Sequence, residues 1–261
     1  MTLTQKAAAL RAQDIYQANA LLISAARAGC NDLAKHMFDL GAVIEGRDRF
    51  GATALSRAAE AGQDAMVTFL LDEKADINVR AVSGSTPLFL AAENGRNSTV
   101  ELLLAHKADP NLPGRGGLRP LAAAAFNGGT RMVEALLAAN ADANAVDDSG
   151  KAAILYAAAK GYGDVVRRLA EAGVDLNRKY DHGLTVLMWT AGYADEAGVE
   201  DIKDVLGFLL DQHVALNERE DRGLSALAIA RALKHEEIAG MLAAHGAMDK
   251  AALLAPQSPA K

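Results

Sequence analysis

Six glycines recur along the chain at an almost constant distance. They are Gly51, Gly84, Gly117, Gly150, Gly183 and Gly223, with spacings of 33, 33, 33, 33 and 40 residues. A fixed period of this length indicates one supersecondary unit stacked on copies of itself, each contacting mainly its neighbours. Such a chain presents an extended surface, so the period predicts a repeat architecture rather than a catalytic cleft.

Other residue types recur at fixed offsets from each glycine. Small pairs stand seven and eight residues later, apolar pairs nineteen and twenty residues later, and asparagine twenty-seven residues later; the first copy reads Ala58-Ala59, Leu70-Leu71 and Asn78. Paired alanines let a first helix approach its neighbour closely, and the leucine pair is expected on the buried face of a second helix. The closing asparagine suits a left-handed turn or side-chain–backbone bonds.

The boundaries of the first helix are marked by capping residues. Threonine two residues after the glycine, as at Thr86, is a favoured N-cap, and Pro87 and Pro120 occupy the first helical position, where a missing N–H costs nothing. A second glycine eleven residues after the first, as at Gly62, favours the left-handed conformation that ends a helix. The repeat is therefore predicted to be helix, turn, helix, turn.

This pattern resembles the ankyrin repeat. The resemblance rests on Ser85-Thr86-Pro87-Leu88, Ala91-Ala92-Glu93-Asn94-Gly95, Val100-Glu101-Leu102-Leu103-Leu104 and Ala108-Asp109-Pro110-Asn111, which recur in register along the chain. It implies an all-α solenoid of about seven helix-turn-helix repeats with short β-like finger turns. The solenoid is expected over residues 18–247, with its first and last repeats as caps. Residues 1–17 are expected to add a helix, and residues 248–261 to form a disordered tail.

The chain departs from the ankyrin pattern in two respects. The usual histidine five residues after the glycine is replaced by Ser56, Phe89, Ala122, Leu155, Met188 and Ala228, so apolar packing is expected to substitute for the usual polar network between repeats. The sixth repeat is seven residues too long, and its offsets place an acidic insertion near residues 192–201, between two helices. Insertions in solenoids map to loops, often on the binding face, although a tolerated surface insertion is the alternative.

Composition narrows the classes of function. A net charge of −6 and a pI near 5.5 argue against nucleic-acid binding, which favours a basic excess. The single cysteine, Cys30, excludes an intramolecular disulfide, and the six histidines lack the spacing of metal ligands. No apolar run is long enough to span a bilayer, and the N-terminus lacks the apolar core of a signal peptide. We expect a monomeric cytoplasmic protein; the alternative is an exported protein whose signal has been removed.

No residue pattern supports an enzyme. The adjacent carboxylates Asp147-Asp148 point apart along the chain, and no serine lies in a nucleophile-elbow sequence. The stretch Gly114-Arg115-Gly116-Gly117 is not followed by the lysine and hydroxyl residue of a phosphate-binding loop. The sequence therefore predicts neither catalysis nor a cofactor.

The resemblance to ankyrin repeats implies that the finger tips and the exposed side of each first helix form the binding face. Five of the twelve aromatic residues fall at these positions, and interface hot spots are enriched in Trp, Tyr and Arg. The predicted partner-binding residues, including three from the insertion, are Arg49, Phe50, Arg57, Arg115, Phe126, Tyr156, Lys160, His182, Trp189, Tyr193, Asp195, Glu196 and Arg222.

The sequence thus predicts a non-enzymatic module that binds a partner protein through its concave face, centred on Tyr156, Trp189 and the insertion. A more specific form is a partner enzyme whose active site is masked, and the acidic insertion would speed association with a basic partner. Two alternatives stay open. One is a small-ligand pocket lined by Phe126, Tyr156, Met188 and Trp189, and the other is a structural scaffold that oligomerises through its ends.

Overall fold

The computed structural model describes residues 15–192 and 197–248. Within these ranges the chain forms fourteen α-helices in consecutive pairs and no β-strand. The chain divides into two compact units, residues 1–148 and residues 149–261. Residues 1–14 of the predicted N-terminal helix, residues 193–196 of the predicted insertion and residues 249–261 of the predicted tail lie outside the described residues.

The first unit contains four helix pairs. Each first helix packs against its own second helix and against the next first helix, while the second helices contact one another in the same order. The unit is therefore built as two layers. Its helices are α1 (Ile15–Ala28), α2 (Asn31–Asp39), α3 (Ala54–Ala61), α4 (Asp64–Asp72), α5 (Pro87–Glu93), α6 (Asn97–Ala105), α7 (Pro120–Phe126) and α8 (Thr130–Ala138).

The second unit repeats this arrangement with three described pairs. Its first helices α9, α11 and α13 pack in sequence, and α10 contacts α12. The bounds are α9 (Ala153–Ala159), α10 (Gly163–Glu171), α11 (Val186–Gly192), α12 (Val199–Asp211), α13 (Ala226–Ala232) and α14 (Glu236–Ala244).

The recurring small pairs and one leucine of each repeat form the core. Ala58, Ala59 and Leu70 have no exposed surface, and their equivalents are buried in the following repeats, except that the exposed Arg231 replaces the second alanine in the last one. The second leucine of the pair is half-buried at Leu71 and Leu104, whereas both leucines of the pair Leu209-Leu210 are buried. Consecutive residues of an α-helix lie about 100° apart around its axis, so the large side chain that follows a core leucine lies nearer the margin of the buried face. The predicted buried pair is thus one core residue and one flanking residue in the shorter repeats, and two core residues in the long sixth repeat.

The N-cap of α5 can be tested directly. Thr86 is buried, and its Oγ1 accepts a hydrogen bond from the backbone N–H of Phe89 at 3.2 Å. We expect Thr86→Ala to lower the free energy of unfolding by about 1 kcal/mol, because one of the first N–H groups of the helix loses its acceptor. Urea denaturation followed by circular dichroism measures the change. Ser98→Ala, an exposed substitution in α6, is the matched control, and an equal effect of both substitutions would contradict the assignment.

Polar contacts do connect successive repeats, although the usual histidine is absent. The closing asparagine of one repeat accepts a hydrogen bond from a backbone N–H at the end of the next. The distances from asparagine Oδ1 to the backbone nitrogen are 3.0 Å for Asn78 and Asp109, 2.8 Å for Asn111 and Asp142, and 2.7 Å for Asn177 and Ala215. Buried apolar residues such as Phe89 and Leu155 fill the histidine position itself. Apolar packing is therefore one of two substitutes rather than the only one.

Part of the additional length of the sixth repeat lies in its second helix. Helix α12 has 13 residues, whereas the second helices α4, α6, α8, α10 and α14 have 9. It starts at Val199, carries Glu200 and Asp201 in its first turn, where the helix dipole favours acidic groups, and buries Ile202. The interpretation of residues 192–201 as a loop is thus corrected, because the end of this segment belongs to α12.

Candidate functional site

The turn around each repeat glycine, which we call a finger, depends on the positive φ of that glycine. In the first unit φ is 73° at Gly51 and 83° at Gly84, a region that residues with a Cβ rarely adopt. The backbone N–H of Val82 donates to the carbonyl of Phe50 at 3.0 Å, which joins the first finger to the second. The first two fingers therefore form one continuous edge.

Two arginines brace this edge. The guanidinium of Arg47 donates to the carbonyls of Gly51 at 2.9 Å and Arg80 at 2.7 Å. Arg80 in turn donates to the carbonyls of Gly84 at 3.0 Å and Pro113 at 3.3 Å. Sequence reasoning missed both side chains, and the available signal was a basic residue four positions before the repeat glycine. Because their acceptors are neutral carbonyls, the positive charges of both arginines persist at the finger edge.

Three of the predicted binding residues meet on the first finger. The guanidinium carbons of Arg49 and Arg57 lie 4.7 and 5.7 Å from the centroid of the Phe50 ring, within the range of cation–π interactions. Phe50 is 55% exposed, although it is a large apolar side chain. The structure thus brings Arg49, Phe50 and Arg57 together at one exposed place.

The carboxylate of Asp48 holds Arg57 and the backbone of the first finger in place. Its Oδ2 lies 2.5 Å from Nη2 of Arg57, and its Oδ1 accepts the backbone N–H groups of Phe50 at 2.8 Å and Ala52 at 3.0 Å. Burial opposes ionisation of the carboxyl, but the hydrogen bonds from Arg57, Ala52 and Phe50 outweigh it and hold the pKa of Asp48 below its usual value. The guanidinium of Arg57 is therefore already occupied by Asp48, whereas no carboxylate of the described residues pairs with Arg49.

A groove of about 510 Å³ runs beside Phe50 in the first unit. Arg49, Phe50, Val82, Ser83 and Leu90 are among the residues that line it. Val82 is 84% exposed, so two apolar side chains on neighbouring fingers face solvent next to the groove. Such a surface can accept a large apolar side chain from another molecule.

The other predicted residues of the first unit lie further along it and do not line this groove. Arg115 belongs to the short 3-10 turn Arg115–Gly117, and its Nη2 lies 2.7 Å from Oε1 of Glu93. Phe126 is the last residue of α7 and is 45% exposed. Neither residue is therefore part of the cluster at the first finger.

In the second unit, Lys151 stands between two predicted aromatic residues. Its Nζ lies 5.4 Å from the centroid of the Trp189 ring and 6.0 Å from that of the Tyr156 ring. Both rings are half-buried. Tyr156 lies in α9, which Lys160 caps at its C-terminus, and Trp189 lies in the next first helix, α11. One cation thus bridges aromatic side chains of two successive repeats.

A groove of about 320 Å³ opens beside this cluster. Lys151, Leu155, Tyr180, His182 and Trp189 contribute to its lining. Met188, which the sequence suggested as part of a small-ligand pocket, is instead 1% exposed and belongs to the core. Trp189 lines this groove, whereas Met188 is not among its lining residues. One of the four residues that were predicted to line a small-ligand pocket is therefore a core residue.

His182 and Arg222 occupy equivalent finger tips of the second unit. The backbone N–H of Asp221 donates to the carbonyl of His182 at 3.0 Å, so these fingers are also joined. Arg222 donates through Nε to the buried Glu220 at 2.9 Å. Burial disfavours ionisation of Glu220, but its hydrogen bonds with Arg222 and the N–H of Leu224 outweigh this and lower its pKa.

The three predicted residues of the insertion, Tyr193, Asp195 and Glu196, lie outside the described residues. Among the residues that the structure describes, no cluster of histidine, cysteine and carboxylate side chains could hold a metal ion. Over the same ranges, no helix has the length and apolar character needed to cross a membrane.

Comparison with known proteins agrees with this architecture. The family model described as ankyrin repeats (3 copies) matches residues 21–114, 88–180 and 121–202, which together cover more than half of the chain. No match was found among the curated proteins. The three overlapping matches span helices α1 to α11 as the structure defines them.

Proposed function

Because the chain belongs to the ankyrin-repeat family, whose repeats are generally protein–protein interaction modules, we propose that it binds a partner protein, with its principal contact at the aromatic cluster of the second unit. We define this cluster as Lys151, Tyr156 and Trp189. The protein acts by binding rather than by catalysis.

The observation that carries the proposal is the position of Lys151 against the rings of Trp189 and Tyr156, at 5.4 and 6.0 Å. A cation held between two rings restrains three side chains that would otherwise lose conformational entropy on binding. Half-buried aromatic side chains bring large contact areas at a low entropic cost, which is why they are enriched among hot spots. The groove beside them supplies the concave surface that such contacts need.

The acidic character of the long sixth repeat supports a basic partner. Asp195 and Glu196 lie in the insertion, and the exposed Glu200 and Asp201 follow in the first turn of α12. Charges at the rim of an interface act mainly on the association rate and its salt dependence. We propose that this repeat steers a partner with a basic surface towards the aromatic cluster, over an interface of about 800 Å² on each side.

The aromatic cluster can be tested by affinity purification from the native host with the full chain as bait. We expect the double variant Tyr156→Ala, Trp189→Ala to lose at least about tenfold in recovery of its specific partner, because truncation of a hot spot costs more than about 1 kcal/mol per residue. Tyr162→Ala, an exposed aromatic substitution at the start of α10, is the matched control. Circular dichroism verifies that all variants keep their helical content.

Trp189 offers a direct measurement once a partner is purified. It is the only tryptophan of the chain, so 5-fluorotryptophan labelling gives a single fluorine resonance for the cluster. We expect that resonance to shift on addition of the partner. Full recovery of the partner by the double variant, or an unmoved resonance in a formed complex, would contradict this placement of the site.

Three further measurements separate the finer alternatives. Loss of a partner's enzymatic activity in the complex supports masking of its active site, whereas retained activity supports a scaffold. Native mass spectra that show a small molecule bound to the native chain, but not to the Trp189→Ala variant, would favour a ligand-binding solenoid instead. A mass that rises with concentration in light scattering would favour oligomerisation over a monomer.

A further inference from the structure

The first unit concentrates positive charge on its first two fingers. Residues 15–148 carry 12 lysines and arginines against 16 aspartates and glutamates, whereas residues 47–52 and 80–85 carry three arginines against one aspartate. That aspartate, Asp48, is already paired with Arg57 at 2.5 Å. The fingers therefore form a basic edge on an acidic unit, which we call the arginine edge and define by Arg47, Arg49 and Arg80.

All three arginines of the arginine edge are exposed residues, and none of them pairs with a carboxylate of the described residues. Arg47 and Arg80 are anchored by hydrogen bonds to backbone carbonyls, at 2.7 to 3.3 Å, which fix their positions without neutralising them. Arg49 lies over the exposed ring of Phe50. A guanidinium has five N–H donors, so each side chain retains donors for a further acceptor.

An apolar site adjoins the arginine edge. Phe50 and Val82 are 55% and 84% exposed on neighbouring fingers, and the groove of about 510 Å³ between the fingers and Leu90 is large enough for one bulky side chain. Backbone hydrogen bonding from Val82 to Phe50 sets the spacing of these two side chains. Preorganised donors around an apolar groove favour a ligand that alternates carboxylates with a large apolar residue.

We propose that the arginine edge binds an extended acidic segment of a partner protein that inserts one large apolar side chain beside Phe50. This inference rests on the proposed protein-binding function but concerns a different surface and a partner of opposite charge. Arg47, Arg49 and Arg80 contact the carboxylates, and Phe50, Val82 and Leu90 contact the apolar side chain. The first unit thus binds an acidic segment, and the second unit binds a basic surface.

A protein segment fits this edge better than a nucleic acid. Nucleic-acid affinity comes chiefly from phosphate neutralisation over many contacts, and the rest of the first unit carries a negative excess that repels a long polyanion. Three fixed guanidinium groups beside an apolar groove match a short acidic segment with one hydrophobic anchor. A phosphate polymer would use the charges and leave the groove empty.

The test uses the full chain and a fluorescein-labelled peptide, acetyl-Glu-Asp-Leu-Asp-Glu-amide, in fluorescence anisotropy. We expect measurable binding that weakens at least about threefold when NaCl rises from about 50 to about 200 mM, because the contacts are exposed charges. The Gln-Asn-Leu-Asn-Gln peptide lacks the carboxylates and the Glu-Asp-Gly-Asp-Glu peptide lacks the apolar anchor. Each should bind at least about fivefold more weakly.

Variants locate the binding on the arginine edge. Arg49→Gln and Phe50→Ala should each weaken peptide binding about fivefold or more, whereas the matched controls Arg27→Gln and Tyr16→Ala, both exposed substitutions in α1, should not. The Tyr156→Ala, Trp189→Ala variant should bind the peptide normally, which separates this proposal from that for the second unit. Absence of binding, equal binding of the uncharged peptide, or tighter binding of a single-stranded oligonucleotide at the same edge would overturn the inference.

Discussion

Replacing Phe89 with alanine is expected to lower the free energy of unfolding by about 3–5 kcal/mol, the range typical of a buried phenylalanine truncated in a packed core. Phe89 has no exposed surface, and it occupies the position where ankyrin repeats usually carry histidine. Its ring lies against the backbone of the next finger at Gly114, where an added Cβ would overlap the ring. Removal of the ring therefore opens a cavity between two repeats. Equilibrium urea denaturation followed by circular dichroism gives the change.

The contact between Phe89 and Gly114 can be isolated by a double-mutant cycle. Gly114→Ala alone should cost about 1–3 kcal/mol, because the new methyl group overpacks against the ring. In the Phe89→Ala background the same substitution should cost much less, since the ring that it meets is gone. Phe126→Ala, an exposed phenylalanine at the end of α7, is the control and should change stability little. Additive effects of the two core substitutions would contradict a direct contact.

The regular part of this fold follows from the sequence because its determinants are local. Gly51 and Gly84 require a positive φ, Thr86 supplies a cap acceptor, and Pro87 can only begin a helix, so each repeat is specified within its own length. Paired alanines also predict where two helices pack closely, because only small side chains allow that approach. The prediction that both leucines of a pair are buried was wrong for pairs such as Leu70-Leu71, because the second side chain lies about 100° further around the helix and reaches the margin of the buried face.

The candidate site was less predictable because its contacts lie between repeats. Offsets placed Tyr156 and Trp189 on exposed positions of successive first helices, but nothing in the sequence indicated that Lys151 would stand against both rings. The bracing of the fingers by Arg47 and Arg80 depends on carbonyl groups that every residue carries, so the basic residue four positions before the repeat glycine does not by itself reveal its acceptors. A periodic sequence thus predicts which positions are exposed, but it does not predict which side chains of neighbouring repeats contact one another.

Removal of the Asp48 carboxylate is expected to have the second largest effect on the free energy of unfolding. Asp48→Ala should lower the free energy of unfolding by about 2–3 kcal/mol, because it leaves the backbone N–H groups of Phe50 and Ala52 and the partly buried Arg57 without their shared acceptor. The loss should be below that of a fully buried ion pair, since Glu60 also pairs with Arg57 at 2.8 Å. Urea denaturation at neutral pH measures it. Glu73→Ala, which removes an exposed carboxylate at the end of α4, should cost little.

The pH dependence of the stability shows whether Asp48 stabilises the fold through its charge or only through its packing. The pKa of Asp48 is lower in the folded protein than its usual value of about 3.9, so its charged form stabilises the fold at any pH above that value. The contribution disappears as the pH falls through the lowered pKa, because protonation removes the charge that Arg57 contacts. The stability difference between the native chain and the Asp48→Ala variant should therefore be constant from about pH 7 to pH 5 and shrink below about pH 4. A difference that stayed constant in acid would show that Asp48 acts through its volume rather than its charge.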